Sequence, residues 1–324
     1  MTTSRSLVFL LLLVLPLSVL AGLSSGQLPN GTVWYLHADL AQMRNTDSGS
    51  PLFQWLDGEV LMKIHEQVGI DLSKEVNSIT AFSATGSGTV ILLEGPISSA
   101  SEKKLLELAG LEAQVTKHTH RKMTYYFIRD DHSDPDEEED EEEVEDDKHR
   151  NRGRNNVALD DFKEGAYVSF ALSNKFLVTG NQKQMQELLD SKGKVAGSDS
   201  HNGALFVLTA DKTFVQAGLN TDELGDDDDD WDSNIIRNTE QAAVMVSDFN
   251  GMIAVEAQLV STDPKMAESI GGIANGLISL QAFNSELDPD IKSLLANTKV
   301  EVADNVLSIN TVIAPDFIVS VLEN

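Results

Sequence analysis

Residues 242–259 read AAVMVSDFNGMIAVEAQL. Two apolar, strand-forming runs flank Asn250-Gly251, and an Asn-Gly pair in that setting is a strong short-range signal for a two-residue hairpin turn, because both central residues must take up positive φ. An earlier counterpart lies at residues 76–84 and 89–94, joined by Thr85-Gly86-Ser87-Gly88. Antiparallel hairpins mixed with helices argue for an α+β fold and against a doubly wound parallel sheet.

Reading outward, each hairpin leads into a helix, over residues 100–108 closing on Gly110 and over residues 264–283. Each is also preceded by a strand with a related end: Leu36-His37-Ala38-Asp39 in one case and Leu208-Thr209-Ala210-Asp211 in the other. After the first strand, Ser50 and Pro51 read as N-cap and first helical residue, and Leu52, Leu56, Val60, Ile64 and Val68 recur every four residues. That stripe needs a sheet to cover. Residues 113–118 and 122–129 read as strands, 167–173 with 175–180 as another hairpin, and 183–191 as a short helix. Residues 300–303, 306–313 and 315–322 repeat that last order.

The repetition predicts an internal duplication. The expected fold is two related halves, each a mainly antiparallel sheet with helices packed on one face, in an extended ferredoxin-like β-α-β-β-α-β order. The first half spans residues 27–200 with an acidic insert at 130–156, and the second spans 201–324 with an acidic loop at 222–234. The halves either form separate sheets or join edge to edge into one.

Residues 1–21 read as a secretory signal peptide. Arg5 supplies the positive start, residues 7–20 are apolar apart from Pro16 and Ser18, and Val19 and Ala21 fit a small-residue cleavage site. The expectation is a chain exported to the periplasm or the extracellular medium, with no transmembrane anchor after processing. The sequence has no cysteine, which excludes a disulfide framework, thiol catalysis and thiolate metal sites.

The formal charge of −28 is concentrated in two runs, with 14 acids in residues 130–147 and 8 in residues 222–232. Setting these 22 aside leaves 30 acids against 24 Lys and Arg, a balance of −6 that is ordinary for a globular surface. Both runs fall between predicted elements and read as solvated loops. Lys148, Arg150, Arg152 and Arg154 follow the first, so opposite charges abut. Two acidic runs repel polyanions, so nucleic acid and anionic membrane are not expected partners.

The segments Leu40-Ala41-Gln42-Met43-Arg44, Ser50-Pro51-Leu52, Gly69-Ile70-Asp71-Leu72, Glu75-Val76-Asn77-Ser78-Ile79 and Leu92-Leu93-Glu94-Gly95, with residues 170–180 and the helix that follows, carry a resemblance. The chain resembles a group of uncharacterised exported bacterial proteins, a domain of unknown function. The resemblance implies a bacterial, cell-envelope or secreted setting and transfers no catalytic residue.

No Gly-x-Ser-x-Gly, His-Glu-x-x-His or Gly-x-x-x-x-Gly-Lys motif is present. His118 and His120 share a strand face and could begin a metal site, with His132 and His149 in the adjoining loop, although exposed strand histidines are the simpler reading. Asp226, Asp228, Asp230 and Asp232 offer oxygen ligands for weak calcium binding but do not form an EF-hand loop. Trp34, Tyr35, Phe53 and Trp55 read as core or sheet-face residues, and Gly271, Gly272 and Gly276 as close packing of the 264–283 helix on a sheet.

The function expected from these features is a non-catalytic binding or structural protein of the bacterial envelope, without a cofactor and with an unidentified protein or ligand partner. Two alternatives stand beside it. One is a hydrolase with its site in the cleft between the halves, where Asp39 and Asp211 occupy equivalent strand ends; the other is a low-affinity calcium-responsive binding protein.

Overall fold

The computed structural model describes residues 28–68, 71–130, 160–195, 203–218, 235, 237–282, 284, 287 and 289–323. The predicted signal peptide and both acidic runs, apart from Asp130, lie outside them.

The strands are β1 Thr32–Asp39, β2 Ser78–Ala84, β3 Gly88–Glu94, β4 Ala113–His120, β5 Met123–Asp130, β6 Ala166–Ser169, β7 Lys175–Thr179, β8 Ala204–Asp211, β9 Thr239–Phe249, β10 Met252–Ser261, β11 Lys299–Ala303 and β12 Val306–Ile313. They form one sheet in the order β11-β12-β10-β9-β8-β1-β2-β3-β7-β6-β5-β4. Every neighbouring pair is antiparallel. The two sequence halves are thus joined edge to edge. Their seam is the β1–β8 ladder, with Trp34 opposite Ala210, Leu36 opposite Leu208 and Ala38 opposite Phe206.

This order corrects the ferredoxin-like expectation. In both halves the first strand lies beside the next strand of the chain, as β1-β2-β3 and β8-β9-β10. A ferredoxin-like unit instead splits a parallel β-α-β pair with another strand. The tight turns favour the meander. Asn250 and Gly251 have φ of 54° and 78°, as the Asn-Gly signal requires, and Arg121 and Lys122 close the β4–β5 hairpin with φ of 45° and 71°.

The helices are α1 Leu40–Asn45, α2 Gly49–Leu56, α3 Met62–Val68, α4 Leu72–Glu75, α5 Ser99–Glu112, α6 Gln182–Asp190, α7 Lys212–Gly218, α8 Pro264–Ala282, α9 Pro289–Asn297 and α10 Pro315–Leu322. They do not all share one sheet face. Central strands β1 to β3 are apolar on both sides, so both sides need cover. On one side Tyr35, Phe82, Val90, Leu92 and Leu177 pack against Met185, Leu188 and Leu189 of α6. On the other, Ala38 and Leu205 pack with Leu40, Met43 and Leu61 of the α1–α3 layer.

Strand register carries that second side across the molecule: Val246, which joins the α1–α3 layer, lies opposite Val255, and Val255 opposite Thr311. Leu307, four residues before Thr311, points the same way and meets α8, where a side chain at Gly271 would run into Val302 and Leu307. Gly271 therefore serves close packing as the sequence suggested, whereas Gly272 and Gly276 face open space.

The stripe expected every four residues through the second helix is broken. A π-helical turn, Asp57–Leu61, lies between α2 and α3 and inserts one residue into the register. The buried position passes from Val60, which is 39% exposed, to Leu61, which is 3% exposed. Beyond the turn Ile64 again faces inward over the sheet. The helix over residues 99–112 likewise runs past Gly110 and ends against β4, because the strand that follows it starts at Ala113.

At the seam, His37 is buried and its Nδ1 lies 2.9 Å from the Thr80 hydroxyl. Burial holds its pKa below the ordinary histidine value, against the opposing pull of Asp39 and Glu94. Burial also pushes the neighbouring Tyr35 phenol well above its ordinary value.

Leu61→Ala is expected to cost about 2–5 kcal/mol, and Val60→Ala to stay within about 0.5 kcal/mol, in urea denaturation. An unbroken α-helix would reverse that ranking. The depressed His37 pKa sets a second expectation. Between the folded value and about 6.5 the unfolded chain binds the extra proton, so stability is fully present above about pH 6.5 and falls as pH drops below it. Urea titrations at pH 7.5 and 5.5 should show this loss, and His37→Gln should reduce it.

Candidate functional site

The polar residues singled out in the sequence are dispersed by the fold. Asp39 and Asp211 play equivalent local roles: Asp39 Oδ1 accepts from the Gln42 amide at 2.7 Å and caps α1, and Asp211 Oδ1 accepts from the Phe214 amide at 3.0 Å and caps α7. Because β1 and β8 are antiparallel, the two lie at opposite ends of the seam. Asp211 follows Ala210, which faces Trp34, so about six residues, on the order of 20 Å, separate it from Asp39 along the strand. They cannot act on one substrate bond, which removes the shared carboxylate pair from the cleft hypothesis.

His118 and His120 do share a strand face, yet each has its own partner. The His118 ring stacks on Tyr125 at 5.2 Å, and His120 Nε2 lies 2.9 Å from Asp190 Oδ1, which Arg121 also reaches at 3.2 Å. His132, His149, Asp226, Asp228, Asp230 and Asp232 lie outside the described residues. Among the described residues no group of three or more His, Asp or Glu side chains could hold a metal ion, and no helix is long and apolar enough to cross a membrane. Trp34 and Tyr35 are core residues, with Trp34 tilted against Phe214 at 6.0 Å. Trp55 lines an open groove between α2 and α10.

What the fold builds instead is an apolar pocket of about 150 Å³ between the helix layer and the sheet of the first half. Its floor is Leu93 of β3 and, directly opposite on β7, Phe176, whose ring stacks on Phe170 at 4.4 Å. Ile64 of α3, Leu72 of α4 and Leu105 of α5 form its walls.

The pocket exists because α5 is pinned at its N-terminus and not pressed down along its length. Glu75 ends α4, and its backbone carbonyl passes so close to Gly95 that a Cβ there would lie 2.2 Å from it. Only glycine admits this crossing, which presents the Glu75 carboxylate to the start of α5. The carboxylate accepts from the Ser98 amide at 3.0 Å and from the Ser101 hydroxyl at 2.7 and 2.8 Å. Ser98 Oγ, the N-cap, accepts from the Ser101 amide at 3.1 Å. An acceptor pair and a negative charge at a helix N-terminus satisfy its unpaired amides and complement its dipole.

The crossing below Glu75 is itself anchored. Arg44 of α1 donates to the carbonyls of Ser73 and Val76 at 2.6 and 3.1 Å and to Asn77 Oδ1 at 2.9 Å, with its guanidinium 5.2 Å from the centre of the Phe53 ring. The pocket's one carboxylate is thus fully engaged at its rim, and the interior offers dispersion contacts. Sequence reading found the α5 helix but missed this site. The run Ser98-Ser99-Ala100-Ser101 carried an N-cap signal, while Glu75, 23 residues earlier, had no local mark of its partner.

Glu75→Ala is expected to cost about 1–3 kcal/mol by leaving the Ser101 hydroxyl and the Ser98 amide without their acceptor. Glu75→Gln, which keeps an oxygen acceptor, should recover most of it. Equal losses for the two variants in denaturant titrations would contradict the pinning role.

The sequence matches no family model and no curated protein. Among solved structures, crystal forms III and IV of TP0453 each align over 92% of this chain and 96% of that chain, with 12% identity and a TM-score of 0.46. Crystal form I of TP0453 aligns over 92% and 95%, with 10% identity and a TM-score of 0.38.

Proposed function

We propose that this chain is an exported, non-catalytic binding protein of the bacterial cell envelope, whose first half takes up a small apolar group in the pocket beneath α5. The pocket itself carries this reading: about 150 Å³ of space lined mainly by apolar side chains, with Glu75 and Ser101 hydrogen-bonded to each other at its rim. Apolar cavities of this size stay dry and admit a benzene-sized group. A short acyl chain or an aromatic ring is the ligand class that fits. Export rests on the composition of residues 1–21 and on the resemblance to exported bacterial proteins.

The reading includes a duplicated scaffold. Three observations support it: the matching strand orders β1-β2-β3-β7-β6 and β8-β9-β10-β12-β11, the equivalent caps by Asp39 and Asp211, and a seam register centred on the equivalent residues Leu36 and Leu208. Duplication supplies a wide rigid sheet, and the ligand site is an elaboration of one copy.

A ligand that binds only the folded state at a hundred times its dissociation constant adds about 2.7 kcal/mol of stability. Thermal unfolding in the presence of small aromatics and short-chain acids should therefore show a rise in Tm, and Leu105→Trp, which fills the space, should abolish it while leaving the ligand-free protein folded. A rise that persists in Leu105→Trp would place the ligand elsewhere.

A further inference from the structure

The sheet has two edges, and they are unlike. β11 at one end has five residues and carries both Lys299 and Glu301. Short, charged strands of mixed sign are a usual way to blunt an edge. β4 at the other end has eight residues and, among the described residues, pairs on one side only, with β5.

The β4–β5 hairpin also departs from the charge of the whole chain. Apart from Asp130 at its last position, where the first acidic run begins, the hairpin holds no Asp or Glu, while Lys117, Arg121, Lys122 and Arg129 are basic, in a chain of net charge −28. Lys117, Arg121, Lys122 and Arg129 are all exposed. The hairpin turn fixes which backbone groups face outward. A two-residue turn closes on a hydrogen-bonded pair, here His120 with Met123. Pairs then alternate, so His120, His118, Thr116 and Gln114 bond inward to β5. Thr119, Lys117 and Val115 present their N–H and C=O groups to the open edge.

We propose that the β4 edge is a docking surface for an extended acidic polypeptide, which adds to the sheet as a further antiparallel or parallel strand. Main-chain bonds to Val115, Lys117 and Thr119 supply the pairing, and Lys117 and Lys122 select negative charge. A second copy of the same edge is a poor occupant, since it would set the basic hairpins against one another. An acidic strand meets Lys117 on the edge strand and Arg121 and Lys122 at its turn. This site is separate from the apolar pocket and does not depend on it.

The test uses a synthetic decapeptide of alternating Val and Glu, with alternating Val and Ser as the control, titrated into the whole protein at low salt. The acidic peptide should bind and the uncharged one should bind far more weakly. K117E combined with K122E should weaken binding on the order of tenfold or more, and high salt should weaken it likewise. Thr119→Pro removes one outward donor without touching the β5 ladder and should also weaken it. Amide hydrogen exchange identifies the mode independently of any variant. Docking should slow exchange at Val115, Lys117 and Thr119 and leave Gln114, Thr116 and His118 at their existing protection. Equal binding of the two peptides, no binding, or binding without that alternating pattern would overturn the proposal.

Discussion

The β1–β8 ladder is the constraint on which the rest of the structure depends. It joins two sequence halves through backbone hydrogen bonds, and its antiparallel sense decides what each half can share with the other. Equivalent strand ends are sent to opposite ends of the seam, so Asp39 and Asp211 do not lie side by side. The ladder also hides two interior edges, so that among the described residues β4 and β11 are the edge strands of a twelve-stranded sheet. Both faces of its central strands are apolar, and His37 is buried among them beside Thr80.

From that sheet the pocket follows in two steps. The helix layer reaches the sheet through Leu40, Met43 and Leu61, and the π-helical turn re-aims the helix so that Ile64 hangs over β3. The close crossing of Glu75 over Gly95 then holds the start of α5 by its amides and hydroxyls. A helix held at its end by polar contacts can stand away from the sheet beyond that end, and apolar side chains from five elements line the gap. Packing of this kind costs stability that a well-filled core would gain.

Local features of the fold were legible in the sequence to the extent that single residues dictate them. Asn250-Gly251 named its turn, because Asn and Gly tolerate the positive φ that the turn requires. Features set by a partner far along the chain were not. The stripe through Val60 looked continuous, and only the packing of Leu61 against the sheet reveals the inserted residue. Gly110 looked like a helix end, yet nothing in its surroundings requires one, and α5 continues to Glu112. The choice between one sheet and two depended on which edges met, and the meander order depended on strand neighbours that periodicity does not encode. The site was hidden for the same reason: Leu93, Leu105 and Phe176 read as ordinary core residues, and only the fold leaves a space among them.

The most direct measurement is a crystal structure of the protein under xenon pressure, since xenon enters preformed apolar cavities without needing a polar partner. The account predicts xenon density between Leu93, Leu105 and Phe176, with α5 and the Glu75 contacts unmoved. A pocket that is collapsed, with Leu105 resting on Leu93, or one filled by ordered water would contradict it.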